Sequence, residues 1–290
     1  MHHFPKSPFL VPFDGSFRVK KARTDPPKGA PSKADAEKRL TESVDGIARL
    51  QKKLYADNRH SVLLVFQAID AAGKDGTIRA VLTGTNPAAC QVFAFKAPSD
   101  EELDHDFLWR IYRSLPERGR VGVLNRSHYE EVLTVRVHPE YLDRQRLPFT
   151  PPLPKLWKER YESIRDFERH LARNGTVILK FWLHVSKKEQ KKRLLARIDD
   201  ASANWKFQAS DVDEREQWSK YMRIYEDVLN ETSRSWAPWY AIPADDKPYM
   251  RWAVADIVQR TLGGLDIGYP KLGRDELKKL TLMRGRLEKD

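Results

Sequence analysis

A single cysteine, Cys90, is all the thiol chemistry in this 290-residue chain. One thiol forms no internal disulfide and supports no cysteine-based metal cluster, so a reducing cytoplasm is the expected setting. The opening stretch, MHHFPKSPFLVPFDGSF, lacks the basic start, long apolar run and small-residue cleavage site of a secretory signal. No apolar run approaches the ~20 residues of a membrane span; SVLLVFQAI (61–69) is far too short. Internal repeats, low-complexity blocks and helix-turn-helix, zinc-finger or RRM signatures are also lacking. These absences predict a soluble cytoplasmic protein without a dedicated nucleic-acid module.

What is present is ample apolar material and an excess of positive charge. Hydrophobic residues make up 40% of the chain and aromatics 10%, a globular composition. Lysine and arginine outnumber aspartate and glutamate 52 to 41, for a net charge of +11 spread along the whole length. Such an excess favours polyanionic partners: nucleic acid, an anionic membrane surface or a poly-phosphorylated substrate.

Residues 1–33 are rich in proline and basic residues and read as an extended arm. In 34–57, Leu40, Val44, Ile47, Leu50 and Leu54 recur at three- and four-residue steps, as in an amphipathic helix. Continuous apolar or β-branched runs predict strands at 61–69, 90–96, 120–127 and 175–185, with a short fifth at 239–244. Helical patterns fall between them: 77–84, 99–116 behind a serine cap, 154–173, 186–198, 213–234 and 248–262. Strands alternating with helices imply a parallel α/β sheet of about five strands with helices on both faces, a three-layer arrangement. The expected organisation is the arm (1–33), one domain (34–265) and a helical tail (266–290).

The stretch AIDAAGKDGT (68–77) follows the first strand and precedes a helix. That is the context of a phosphate-binding loop, where backbone N–H groups and a lysine hold phosphate. Ala68 stands where the usual motif has its first glycine, and Asp75 where it has a metal-binding hydroxyl. Ala72, Gly73, Lys74, Asp75, Gly76 and Thr77 are candidate phosphate contacts. Asp70 would repel phosphate unless a Mg²⁺ ion bridged the two. Asp75 either reaches a metal-bound water or favours the helix N-terminus, the second being the simpler reading. A second cluster, NRSHYEE (125–131), ends the third strand, and parallel sheets bind ligands at such ends. Arg126 can fork onto phosphate, and Asn125 and Glu130 can order a metal or its waters. His128 has no partner at ligand spacing and reads as structural.

With both clusters in view the chain resembles the type-2 polyphosphate kinase family, nearest its class III branch. The matching runs include FQAIDAAGKDGTI, GTNPAACQV, FKAPSDEELDHDFLWR, LPERGRVGVLNRSHYEEVLTVRVHPE, WLHVSKKEQKKRLLARI, NWKFQASDVDER and TSRSWAPWYAIPADDK. The resemblance implies a P-loop kinase fold with a helical lid at about 187–215. It implies Asp70 and Lys74 as the Walker A pair and Lys96, Arg110 and Arg126 as basic groups near the phosphate channel. Arg197, Lys206 and Asp211 become lid residues. Other branches begin the second cluster D-R-S; here Asn125 replaces that aspartate, which leaves Glu130 as the nearest carboxylate for a metal beside Asp70. The implied reaction is reversible, Mg²⁺-dependent transfer of the terminal phosphoryl group of polyphosphate to AMP or ADP, with Mn²⁺ as a substitute ion, guanine nucleotides as further acceptors and a homo-oligomer as the assembly.

Lys187, Lys188, Lys191 and Lys192 read as a solvated helix face rather than a polyphosphate track. Trp205, Trp236, Trp239 and Tyr240 read as core or lid packing rather than a purine stack. Two rival functions remain open to the sequence: an ATP-dependent nucleoside monophosphate kinase, and a non-catalytic nucleic-acid-binding protein argued from charge alone.

Overall fold

The computed structural model describes residues 4–289. In chain order the elements are α1 (Lys33–Asp57), β1 (Ser61–Gln67), α2 (Lys74–Val81), β2 (Cys90–Ala94), α3 (Asp100–Leu103), α4 (Trp109–Tyr112), β3 (Val121–Asn125), α5 (Thr134–Val137), α6 (Leu153–Arg173), β4 (Thr176–His184), α7 (Lys187–Asp199), α8 (Ser210–Glu216), α9 (Trp218–Thr232), β5 (Trp239–Pro243), α10 (Lys247–Gly263) and α11 (Arg274–Leu287).

The five strands form one parallel sheet in the order β2-β3-β1-β4-β5. β1 lies at its centre and all seven of its residues are buried, as an unbroken apolar run requires. Alternation along β1 divides the core in two. Val62, Leu64 and Phe66 pack with Ile47 and Leu54 of α1, Ile78 of α2 and Val254 of α10. Leu63 and Val65 pack on the other face with Ile164 of α6 and Val228 of α9. Helices therefore cover both faces, and the parallel, three-layer α/β architecture expected from the alternation is the one observed.

Two expected helices are broken. The 99–116 segment keeps its serine cap, with Ser99 and Glu102 closing a reciprocal capping box. It nevertheless divides into α3 and α4, because the Asp106 carboxylate accepts a bond from the Leu108 N–H at 2.9 Å and competes with the helical ladder. The 213–234 segment divides at Gln217. That break lets α8 lean on α7, through Arg215 to the Lys187 carbonyl, while α9 lies on the sheet.

The N-terminal arm is extended but not free. Val11 donates to the Trp239 carbonyl, and Ala241 donates to the Phe9 carbonyl. The arm thereby covers the β5 edge, which would otherwise present unpaired backbone groups. α11 is exposed along its length. No helix among the described residues is long and apolar enough to cross a membrane.

Strand order also selects where a ligand can sit. The chain leaves β1 toward β2 on one side, whereas it leaves β3 for β4 on the other. The crevice between the carboxyl ends of β1 and β3 is thus the topological switch point.

Candidate phosphoryl-transfer site

Two turns meet at that crevice. The loop after β1 runs from Ala68 to Gly73, and its backbone needs left-handed conformations at Ala71 (φ 60°) and Gly73 (φ 105°). Gly73 caps α2 and lets the chain enter the helix without a Cβ, which would come within 3.2 Å of the Met250 methyl. The turn after β3 begins at Arg126, also left-handed (φ 63°), whose N–H donates to the Phe66 carbonyl of β1 at 3.1 Å. Register does the rest, because Phe66 and Asn125 are paired residues of neighbouring strands.

The side chains follow from that backbone. Arg126 Nη2 donates to Asp70 Oδ1 at 2.5 Å, and its Nη1 reaches Glu130 Oε2 at 3.3 Å. Glu130 first and Asp70 after it hold the guanidinium well above its ordinary pKa, against the opposing effect of burial. Glu130 also accepts the Thr134 hydroxyl at 2.5 Å. Asn125 Nδ2 donates to Asp75 Oδ1 at 2.7 Å, tying the first turn of α2 to the end of β3. Asp75 thus has a partner at the end of β3 beyond its place at the helix N-terminus.

Lys74 is turned inward. Its Nζ donates to the Ala68 carbonyl at 2.9 Å and approaches that of Ile69 at 3.4 Å. Burial, and then the nearby Arg126 charge, push its pKa down to about 8, while Asp70, Glu130 and Asp75 pull the other way. Thr77 is fully buried with its hydroxyl on the Gly73 carbonyl at 2.9 Å, so its side chain does not face the crevice. The expectation that it contacts phosphate is corrected accordingly. Gly76 lets Arg251 of α10 approach; a Cβ at this position would lie only 3.1 Å from Arg251 Nη2. Ala72 is buried, and its carbonyl is taken by Arg193.

Further out, Lys96 and Arg110 stand at the β2 end of the same sheet edge, one strand beyond Arg126. Lys96 is exposed. Arg110 donates to the Lys96 carbonyl at 2.9 Å, pairs with Glu102 at 3.4 Å and lies over the Phe95 ring. In the segment expected to form a lid, Arg197 of α7 meets Asp211 of α8 at 3.3 Å. Burial raises the Asp211 carboxyl, and the neighbouring Asp70 charge raises it further. Lys206 lies over the ring of Trp205, which is 74% exposed. Trp239 and Tyr240 are core residues. Lys187, Lys188, Lys191 and Lys192 all face solvent. His128 is buried beside Glu168, in keeping with a structural role.

Several contributors are hidden in the sequence. Arg193 of α7 donates to the carbonyls of Ala72 at 2.8 Å, Ala244 at 2.6 Å and Asp245 at 3.0 Å. Gln190 donates to the Asp70 carbonyl at 3.1 Å. The first turns of α7 are thereby fastened to the loop after β1. Trp218, Tyr221 and Tyr225 of α9 line the pocket beside Asp70, Arg126 and Glu130. Their 3–4 spacing reads as ordinary helix core. The available signal for Gln190 and Arg193 is their place on the same face as Leu194, where a lysine-rich helix should carry apolar residues.

Comparison with known proteins agrees with this geometry. Residues 30–267 match the profile of the family described as Polyphosphate kinase 2 (PPK2). The chain is 54% identical to an ADP-polyphosphate phosphotransferase of Rhodopseudomonas palustris over 89% of its length and 90% of that protein. It is 45% identical to an AMP/ADP-polyphosphate phosphotransferase of Meiothermus ruber over 78% of its length and 80% of that protein. Among solved structures, the crystal structure of Polyphosphate Kinase 2 from Arthrobacter aurescens TC1 superposes with a TM-score of 0.86. That pair is 38% identical and covers 97% of this chain and 98% of the other.

Proposed function

The chain belongs to the polyphosphate kinase 2 family, and we propose that it transfers the terminal phosphoryl group of inorganic polyphosphate to AMP or ADP. The observation that carries the reading is the meeting of Asp70 and Arg126, with Lys74 beside them, at the β1/β3 switch point. Relatives named for ADP and for AMP/ADP as acceptors support it.

Phosphoryl transfer leaves a protein chiefly positioning and charge neutralisation to perform. Arg126 offers a planar fork for phosphate oxygens. Lys74 supplies a buried ammonium whose protonation an arriving polyanion would favour. Lys96 and Arg110 extend positive charge along the sheet edge for a longer donor chain. The acceptor is already an ionised phosphate oxygen, so no general base is needed. α7 and α8 exclude water, which directs phosphate to the nucleotide rather than to hydrolysis.

The residues also fit a magnesium ion. Among the described residues no three His, Cys, Asp or Glu side chains gather as a self-sufficient cage. Mg²⁺ is commonly held by one or two carboxylates together with substrate phosphates. Asp70 and Glu130, which both line the pocket, provide such hard oxygen donors, while the amide of Asn125 is held on Asp75. When bound, the ion would neutralise phosphate charge.

The test is direct. ADP or AMP is mixed with polyphosphate and Mg²⁺ in the absence of ATP, and ATP or ADP is measured with and without a chelator. Product that requires polyphosphate and disappears on chelation is expected. Phosphorylation of AMP by ATP but not by polyphosphate would overturn the reading in favour of a nucleoside monophosphate kinase.

A further inference from the structure

The most heavily buried charges among the described residues lie outside the crevice. Lys180 of β4 is 0% exposed and Glu168 of α6 1%. Removing a charged pair from water is costly, and apolar substitutes of similar volume are often as stable or more so. This pair is fully engaged. Lys180 Nζ donates to Glu168 Oε2 at 2.6 Å, to the Tyr129 hydroxyl at 2.8 Å and to the Thr232 carbonyl at 2.9 Å, using all three protons. The Tyr129 hydroxyl in turn donates to Glu168 Oε1 at 2.8 Å. Burial raises the Glu168 carboxyl most strongly of any single influence, but the Lys180 charge and the contacts with His128 and Lys180 together outweigh it and hold its pKa below the ordinary value.

Tyr129 belongs to the turn that begins at Arg126. A left-handed backbone at a residue carrying a Cβ persists only where its surroundings over-determine it. One end of the turn is held by the Arg126 N–H on Phe66. Its middle is held by Ser127, whose hydroxyl accepts from the Tyr129 N–H at 3.2 Å and from Gln67 Nε2 at 3.3 Å. Its far end is held by the Tyr129 ring, packed edge-on against Trp239, and by the hydroxyl in the buried network.

We propose that Tyr129, gripped by Glu168 and Lys180, is a positioning residue that holds Arg126 in its left-handed turn and so aims the guanidinium at Asp70 and the transferred phosphate. The proposal rests on the reading of this crevice as the phosphoryl-transfer site. Tyr129 touches neither substrate nor reacting atoms; it acts through Arg126.

Tyr129→Phe keeps the ring and leaves Lys180 on Glu168, so the chain should still fold. Its turnover is measured in the wild-type and Arg126→Ala backgrounds. Misplacing a group by an ångström can cost ~100-fold; here kcat should fall about tenfold in the wild-type background, with the nucleotide KM within about twofold. In the Arg126→Ala background the same change should cost less than about twofold, because the positioned group is gone. No loss in the wild-type background, or an equal loss in both, overturns the proposal. The Arg126 side-chain N–H resonance, identified by its absence in Arg126→Ala, gives a readout without turnover. It should shift or broaden in Tyr129→Phe, and an unchanged resonance also overturns the proposal. If the wild-type protein makes no nucleotide from polyphosphate, the functional reading falls by itself and the resonance alone decides the positioning role.

Discussion

Arg126 Nη2 stands 2.5 Å from Asp70 Oδ1 across the crevice between β3 and β1. The two residues are 56 positions apart in the chain, and neither declares its partner locally. Each explains a difficulty in the other. A carboxylate in a phosphate loop needs a compensating charge, and a guanidinium in a left-handed turn needs a reason to be held there.

Asp70→Asn keeps the size of the side chain and an acceptor for Arg126 but removes the charge. Turnover should fall about 100- to 1,000-fold, in the range of a lost electrostatic stabilising group. The melting temperature should move by less than about 3 °C, since the group is partly exposed. Retention of about a third or more of the activity would remove Asp70 from the site.

Arg193 holds the phosphate loop, α7 and the end of β5 together through carbonyls of Ala72, Ala244 and Asp245. Arg193→Ala leaves these carbonyls without their donor and should cost about 2–4 kcal/mol. That corresponds to a drop of roughly 3–7 °C in Tm for a chain of this length. Arg193→Lys should recover little, because a single ammonium cannot reproduce the planar fork. Calorimetry of the two variants checks this, and full recovery by lysine would show that charge alone suffices.

The Arg197–Asp211 contact joins α7 to α8 at a half-buried position. Such pairs contribute ~0–1 kcal/mol to stability, so Arg197→Ala should melt within about 2 °C of the wild type. Its effect should appear in partitioning instead. A loosened lid admits water, and free phosphate should rise relative to nucleotide product. Parallel assays of phosphate and nucleotide give the ratio; an unchanged ratio would mean that these residues do not close the site.

His184, at the end of β4, is stacked on Trp182 with Nδ1 against the Arg23 carbonyl. Burial pushes its pKa down from 6.5 to about 4. As pH falls through 6.5 the unfolded chain binds this proton while the folded chain does not. Stability is therefore complete above pH 6.5 and is lost toward pH 4, by up to roughly 3 kcal/mol. The fall in Tm between pH 7 and pH 5 should be smaller in His184→Gln than in the wild type, whatever the variant's stability at pH 7. Equal falls would assign the acid sensitivity to other groups.

The strands are legible in the sequence because each is an apolar run with little else to be. β1, β3 and β4 need only their boundaries trimmed. The 99–116 and 213–234 segments read as single helices because periodicity does not register a local competitor such as Asp106, nor a neighbour such as α7 that pulls Arg215 aside. In the site, Asp70 and Lys74 are visible because a loop between strand and helix has a recognised chemistry. Gln190 and Arg193 are not, since their partners are backbone carbonyls, which no side-chain pattern announces. Thr77 misleads for the opposite reason: its spacing suits a phosphate contact, but the helix rotates it into the core.

Composition, apolar periodicity and the order of its motifs determined the α/β class of this protein, its parallel sheet, the candidate loop and the family it resembles, because all of these are encoded along the chain. Strand order and register decided the rest. They brought Asp70 to Arg126, Asp75 to Asn125 and Arg193 to the phosphate loop, and buried Lys180 against Glu168 and Tyr129. Contacts between residues far apart in sequence arise only when the sheet is assembled, and no local signal specifies them.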